Sequence, residues 1–326
     1  MDYVNYLQNH QAIPYEIFLN ALKNNRFFHA YLLSGPTGTP LLEIAKYLTK
    51  CILSDEHKYL KETNTISERV DNGNYPDLII IDGKKDNIKI DDIRNLEDQF
   101  SKCAIERIGI KIYIINLVEN MASNAVNALL KFLEEPDENT YAFLTTENEY
   151  RVLPTIKSRT EIIHFGTVDQ HYLIDHPSLN NVDVQDKELL SFFYNDPSVI
   201  NELSLDEDYI EAKKDLLNYL SKIDDLNELR FFVENEIIKT LKTKPSIRFF
   251  IDLLIVFFKE ALKLKLNKPL ILNSYKELLS KINANIKELD NCILKLMNYR
   301  NELGYNLNTS LLMINLTSNI FESEKL

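Results

Sequence analysis

The stretch Ser34–Leu48, SGPTGTPLLEIAKYL, has the layout of a phosphate-binding turn without the groups that grip phosphate. An apolar run, Tyr31, Leu32 and Leu33, opens into Gly35-Pro36-Thr37-Gly38. In a P-loop, G-x-x-x-x-G-K-[ST], the glycines let backbone N–H groups approach the phosphates. The lysine reaches the β- and γ-phosphates and the hydroxyl holds Mg2+. Counted from Gly35, those last three positions are Pro40, Leu41 and Leu42. Leu41 and Leu42 suit the opening of a buried helix, with hydrophobic side chains where phosphate and metal would sit. A site made of backbone donors alone is the alternative.

Other reactive side chains are sparse. Cys51, Cys103 and Cys292 are odd in number and widely spaced, which is neither a disulfide framework nor a metal cluster. A reducing, cytoplasmic setting is expected. The six histidines show no metal spacing and no nucleophile partner. The net charge of −12 argues against a broad, sequence-independent grip on nucleic-acid backbones. The most apolar stretch, Phe249–Phe258, spans only ten residues and contains Asp252, so it reads as a buried helix. The N-terminus shows no signal-peptide pattern.

The elements that must position these residues alternate in the first half, as in a parallel α/β sheet. Strands are expected at His29–Ser34, Asp77–Asp82, Lys111–Leu117, Tyr141–Thr146 and Thr160–Phe165, each buried on both faces. Helices fall at LLEIAKYLTKCIL, IDDIRNLEDQFSK and SNAVNALLKFLEE, the last stopped by Pro136. In that third helix, Leu129, Phe132 and Leu133 read as core, and Lys131, Glu134 and Glu135 as outward-facing. Residues 166–205 read as short helices and turns. From Asp206 the pattern is helical, with Ile210, Leu216, Leu217 and Leu220 expected along one stripe. Only seven glycines serve 326 residues, which favours helices joined by polar loops.

Three stretches carry a family resemblance. NALLKFLEEPDENTYAFLTT (Asn127–Thr146), VLPTIKSR (Val152–Arg159) and NYPDLIIID (Asn74–Asp82) resemble, in order and spacing, the clamp-loader branch of the AAA+ ATPases. LGYNLNTSLLMINL (Leu303–Leu316) is similar to the last helix of that family's collar. The resemblance implies three parts: an α/β AAA+ domain with a five-stranded parallel sheet (1–165), a small helical lid (166–205) and an all-α collar for oligomerisation (206–326).

It also implies roles for particular positions. The family's metal-binding Asp-Glu pair corresponds to Asn116 and Leu117, so those acids are lost; Glu119 is nearby but shifted along the chain. The family's Ser-Arg-Cys motif corresponds to Ser158-Arg159-Thr160, which keeps the arginine that enters a neighbour's ATP site. Thr145 and Thr146 stand where the fold places its γ-phosphate sensor, and a structural role is expected of them here. Many relatives hold zinc on four cysteines, whereas Cys51–Asp77 offers Cys51 and His57 only, so no metal is expected.

The implied protein is a non-hydrolysing structural subunit of a clamp loader in a DNA polymerase III holoenzyme, needing no cofactor of its own. It would lend Arg159, next to Ser158, to a neighbour. Its implied partners are gamma/tau ATPase subunits and the delta subunit, with the sliding clamp and primed DNA reached through the assembly. The enzyme-class rival is a catalytic gamma/tau-like ATPase, which would keep the Lys, the Ser/Thr and the acids. A sequence-specific DNA-binding protein would need a basic recognition helix, and KEALKLKLNK is the only notably basic run.

Overall fold

The computed structural model describes residues 3–54, 64–84, 87–241, 243–303 and 309–322. The chain divides into two compact units, Met1–Val168 and Asp169–Leu326.

In the first unit five strands form one all-parallel sheet: β1 (Ala30–Ser34), β2 (Leu78–Asp82), β3 (Lys111–Asn116), β4 (Thr140–Thr146) and β5 (Glu161–His164). Their order is β2-β3-β4-β1-β5. Leu32 of β1 pairs with Leu144 on one side and Ile162 on the other, so β1 lies inside the sheet. β1 and β3 are buried along their whole length, as helices on both faces require. β5, at one sheet edge, buries only Ile163 of its four residues, contrary to the sequence expectation, and β2 at the other edge departs further. All five of its residues are only half-buried, because an edge strand has a neighbour on one side alone.

Seven helices flank the sheet among the described residues: α1 (Tyr3–His10), α2 (Ala12–Asn24), α3 (Leu41–Leu53), α4 (Asn64–Asp71), α5 (Ile90–Phe100), α6 (Ser123–Glu134) and α7 (Pro154–Lys157). α6 buries Ala125, Val126, Leu129 and Leu133, a stripe at helical spacing, while Lys131, Glu134 and Glu135 face out. Phe132 packs on Tyr113 and Phe100, linking α6 to the sheet and to α5. α6 ends just before Pro136, whose ring disfavours helical backbone in the preceding residue.

The second unit is helical. α8 (Gln170–Ile174), α9 (Val184–Leu190) and α10 (Pro197–Leu203) are short, each started by an aspartate whose carboxylate accepts from first-turn N–H groups. Seven more follow among the described residues: α11 (Glu207–Ser221), α12 (Leu226–Phe232), α13 (Ile238–Thr240), α14 (Lys244–Lys265), α15 (Lys276–Asn285), α16 (Leu289–Glu302) and α17 (Thr309–Glu322), of which α12 and α13 are short. α14 is the core of this unit, burying Phe250, Ile251, Leu253, Leu254, Phe257 and Phe258. Its Asp252 reaches Arg300 of α16, although burial still holds that carboxyl above its ordinary pKa.

Along α11 the buried stripe is Tyr209, Ala212, Leu216, Tyr219 and Leu220. Ile210, expected inside, is 50% exposed. Tyr209 is buried in its place, because its hydroxyl reaches Asp186 on α9. Leu189 of α9 shares one hydrophobic cluster with α11, α14, α15 and α16. Glu188, also on α9, accepts from Ser274 N at 3.0 Å. No helix among the described residues is long and apolar enough to cross a membrane.

Candidate functional site

The turn after β1 is closed by bonds within itself and to the end of β4. Gly35 N donates to Thr146 O (3.1 Å), Thr39 N to Pro36 O (3.1 Å) and Leu41 N to Thr39 O (2.8 Å). Gly38, at φ 87°, points its N–H toward Glu147 Oε1 (3.4 Å). Pro36 and Pro40 have no N–H to offer. Leu41 is 3% exposed, and its Cδ2 lies 3.3 Å from where a Cβ on Gly35 would stand. The leucine at the lysine position therefore folds back onto the glycine of the same loop, and the donors that would cradle an anion are largely consumed. A backbone-only phosphate site needs those donors free.

At the ends of β3 and β4 the polar groups form a closed chain. Thr145 Oγ1 donates to Asn116 Oδ1 (2.6 Å) and accepts from Leu117 N (3.0 Å). Asn116 Nδ2 donates to Asp82 Oδ1 on β2 (2.7 Å). Thr146 Oγ1 accepts from Asn148 N (3.1 Å). Thr145 and Thr146 are fully buried, so both hydroxyls are spent on protein partners, consistent with a structural role. Leu117 has a left-handed backbone, φ 57°, which is uncommon for a residue with a large side chain and ends the strand at Asn116. Gly83 lies against it. A Cβ there would come within 2.8 Å of Asn116 O and 3.0 Å of Leu117 O, so only glycine fits.

Glu119 accepts from Glu147 N (2.9 Å), tying the turn after β3 to the end of β4. Sequence reasoning noticed Glu119 but missed this partner, which lies 28 positions away. The residues present do not fit a magnesium nucleotide: Pro40, Leu41 and Leu42 supply neither cation nor hydroxyl, and Asn116 and Leu117 supply no carboxylate pair. Among the described residues no group of three or more Cys, His, Asp or Glu is placed to hold a metal ion. Cys51 is buried on α3, and His57 lies outside the described residues, as does part of the collar-like segment Leu303–Leu316.

The NYPD segment has a scaffold role. Asp77, 5% exposed, accepts from Ile105 N (2.9 Å) and Glu106 N (2.7 Å), fixing the loop between α5 and β3. Arg69 pairs with Glu106 at 2.5 Å, which lowers the carboxyl's pKa, and stands 5.0 Å over the Tyr75 ring. Burial, helped by the charges of Glu106 and Asp77, pushes the Tyr75 phenol up to about 12.

Arg159 lies at a different corner. α7 starts with Pro154 and ends at Ser158, which leaves Arg159 in the turn before β5. Its Nη1 donates to Thr155 O (2.9 Å) and Ser158 Oγ (3.3 Å), and its Nη2 to Glu134 at the end of α6. Ser158 Oγ donates to Thr155 O (3.1 Å). The Arg159 side chain is 31% exposed and that of Glu134 51%, so this pair lies in water's reach. On the adjoining turn Tyr150 is fully exposed and Leu153 is 47% exposed. The structure brings Ser158 and Arg159 together. It adds Glu134, which sequence reasoning had marked only as an outward-facing residue.

The strand order β2-β3-β4-β1-β5, with a phosphate-loop-like turn after β1, is that of the AAA+ type of fold. A gamma-subunit-related DNA polymerase III protein of Thermotoga maritima shares the fold, with a TM-score of 0.51 at 18% identity over 94% of this chain and 98% of that one. Residues 10–169 match the family model described as DNA polymerase III, delta subunit. Over that stretch, just under half of the chain, it is similar to DNA polymerase III subunits. It is 28% identical to DNA polymerase III subunit delta' of Bacillus subtilis (strain 168) over 306 residues, 91% of this chain and 92% of that protein. Its match to subunit tau of the same organism, 34% identical over 157 residues, covers 48% of this chain and only 28% of tau.

Proposed function

We propose that the chain is a delta'-like, non-hydrolysing subunit of a DNA polymerase III clamp loader, one that helps load the sliding clamp onto primed DNA. In this reading the sheet unit is a docking body with no nucleotide of its own. Arg159, steadied by Ser158, enters the ATP site of a neighbouring gamma/tau-type subunit. The segment 166–205 is the lid counterpart, and 206–326 is the collar that joins the ring, with the delta subunit as a further partner. The chain has neither ATPase nor polymerase activity of its own and acts in the cytoplasm.

One contrast carries the reading: the polar groups around the phosphate turn are committed to each other, while the arginine stays at the surface. A guanidinium is planar and permanently charged, so it can stabilise charge spread over γ-phosphoryl oxygens in the transition state. The gamma/tau-like ATPase alternative finds no support at Leu41 and Leu42. Titration of the isolated chain with a fluorescent ATP analogue tests the proposal. No saturable binding is expected, whereas Mg2+-dependent saturation in the low micromolar range would overturn it. Mixed with tau- or gamma-type subunits, the chain should co-elute with them.

A further inference from the structure

We propose that Glu134 is a place-holder for phosphate: it pairs with the Arg159 guanidinium until the neighbour's nucleotide takes its position. This rests on the reading of Arg159 given above. The guanidinium has five N–H donors, and three are engaged within the chain. Two of these partners, Thr155 O and Ser158 Oγ, are neutral and belong to α7 and its cap, so they travel with the arginine. They steer Nη1.

Glu134 differs in kind. It is charged, it comes from the last turn of α6, and it lies 25 positions from Arg159. Carboxylate and phosphoryl oxygens both accept from guanidinium N–H groups, so a phosphoryl oxygen can take the place of Glu134 on Nη2 without leaving the arginine unpartnered. Half-exposed at a helix end, Glu134 can turn into solvent when displaced. A phosphate in a water-poor interface gains more from the same guanidinium than an exposed carboxylate does, since exposed pairs are weak and screened. The device keeps the finger ordered and neutralised before docking, at a small cost in apparent ATP affinity.

The test uses the reconstituted clamp loader with MgATP titrations of steady-state hydrolysis, at equal complex yield. Wild type is compared with Glu134→Gln, Glu134→Ala and Arg159→Ala. Both Glu134 variants should lower the ATP concentration for half-maximal rate at the one site served by up to about fivefold, the most an exposed pair is worth, and the bulk value by less. The rate at saturating ATP should stay within about twofold, and the difference from wild type should shrink at high salt, where the wild-type pair is already screened. Arg159→Ala should instead lower the saturating rate. If the Glu134 variants match wild type while Arg159→Ala is defective, the pair is idle and the place-holder idea fails. If they lose saturating rate as Arg159→Ala does, Glu134 is a required positioning residue, and the idea fails again. Both results leave the role of Arg159 standing. A wild-type rate in Arg159→Ala overturns both.

Discussion

The ends of β3 and β4 and the corner after α7 belong to the same unit and treat their polar groups in opposite ways. At the strand ends Asn116, Thr145, Asp82 and Leu117 N satisfy one another, with the Thr145–Asn116 bond fully buried and the other two half-buried. The buried bond spares its groups a desolvation cost of about 1–3 kcal/mol, so the arrangement holds itself shut. At the corner Arg159 has a carboxylate partner too, yet both side chains are reached by solvent, and such pairs contribute only about 0–1 kcal/mol. Burial thus separates a staple from an exchangeable contact. The same chemistry, a polar side chain with a good partner, is locked in one place and available in the other.

The largest expected effect lies at the corner. Arg159→Ala should leave the complex intact but slow hydrolysis at the one ATP site it serves, where such an arginine is worth ~10³–10⁵ in the best-studied GTPases. With several sites in the ring the bulk rate should fall only in part, and clamp loading should slow. Arg159→Lys should not fully restore it, since a point charge lacks the fork. Wild-type hydrolysis in a properly assembled mutant would erase the functional side of the contrast.

Removing a hydroxyl from each region compares them directly. Thr145→Val keeps the shape but strands Asn116 Oδ1 and Leu117 N, so the sheet unit should lose about 1–3 kcal/mol in chemical denaturation. A loss below half a kcal/mol would mean that the chain of bonds relaxes freely, and the strand ends are then no more closed than the corner. The smallest effect is expected from Ser158→Ala, whose hydroxyl is exposed: stability should move by no more than about 0.5 kcal/mol. Any larger change would show that the corner is held as firmly as the sheet.

Much of the scaffold was legible locally. The helix Leu41–Leu53 falls where LLEIAKYLTKCIL placed it, because its apolar spacing and the Pro40 before it are properties of neighbouring residues. Five strands were readable from short apolar runs. The misreadings share a cause. β2 is half-buried because it ended up at the sheet edge, Lys111–Leu117 loses Leu117 to a left-handed turn against Gly83, and Ile210 is exposed because Tyr209 found Asp186. Each depends on a partner far along the chain.

The site divides along the same line. The absence of lysine at Leu41, of a hydroxyl at Leu42 and of acids at Asn116 and Leu117 is a matter of residue identity, and the sequence alone determined it. The presence of Arg159 in a Ser-Arg pair is of the same sort. What those residues do with their polar atoms was decided only by the tertiary structure. The strand order sets Thr145 beside Asn116 across 29 positions and brings the end of α6 to Arg159 across 25. Hydrogen bonds act over a few ångströms, so no local pattern of residues encodes which distant group will arrive, or whether water will arrive with it.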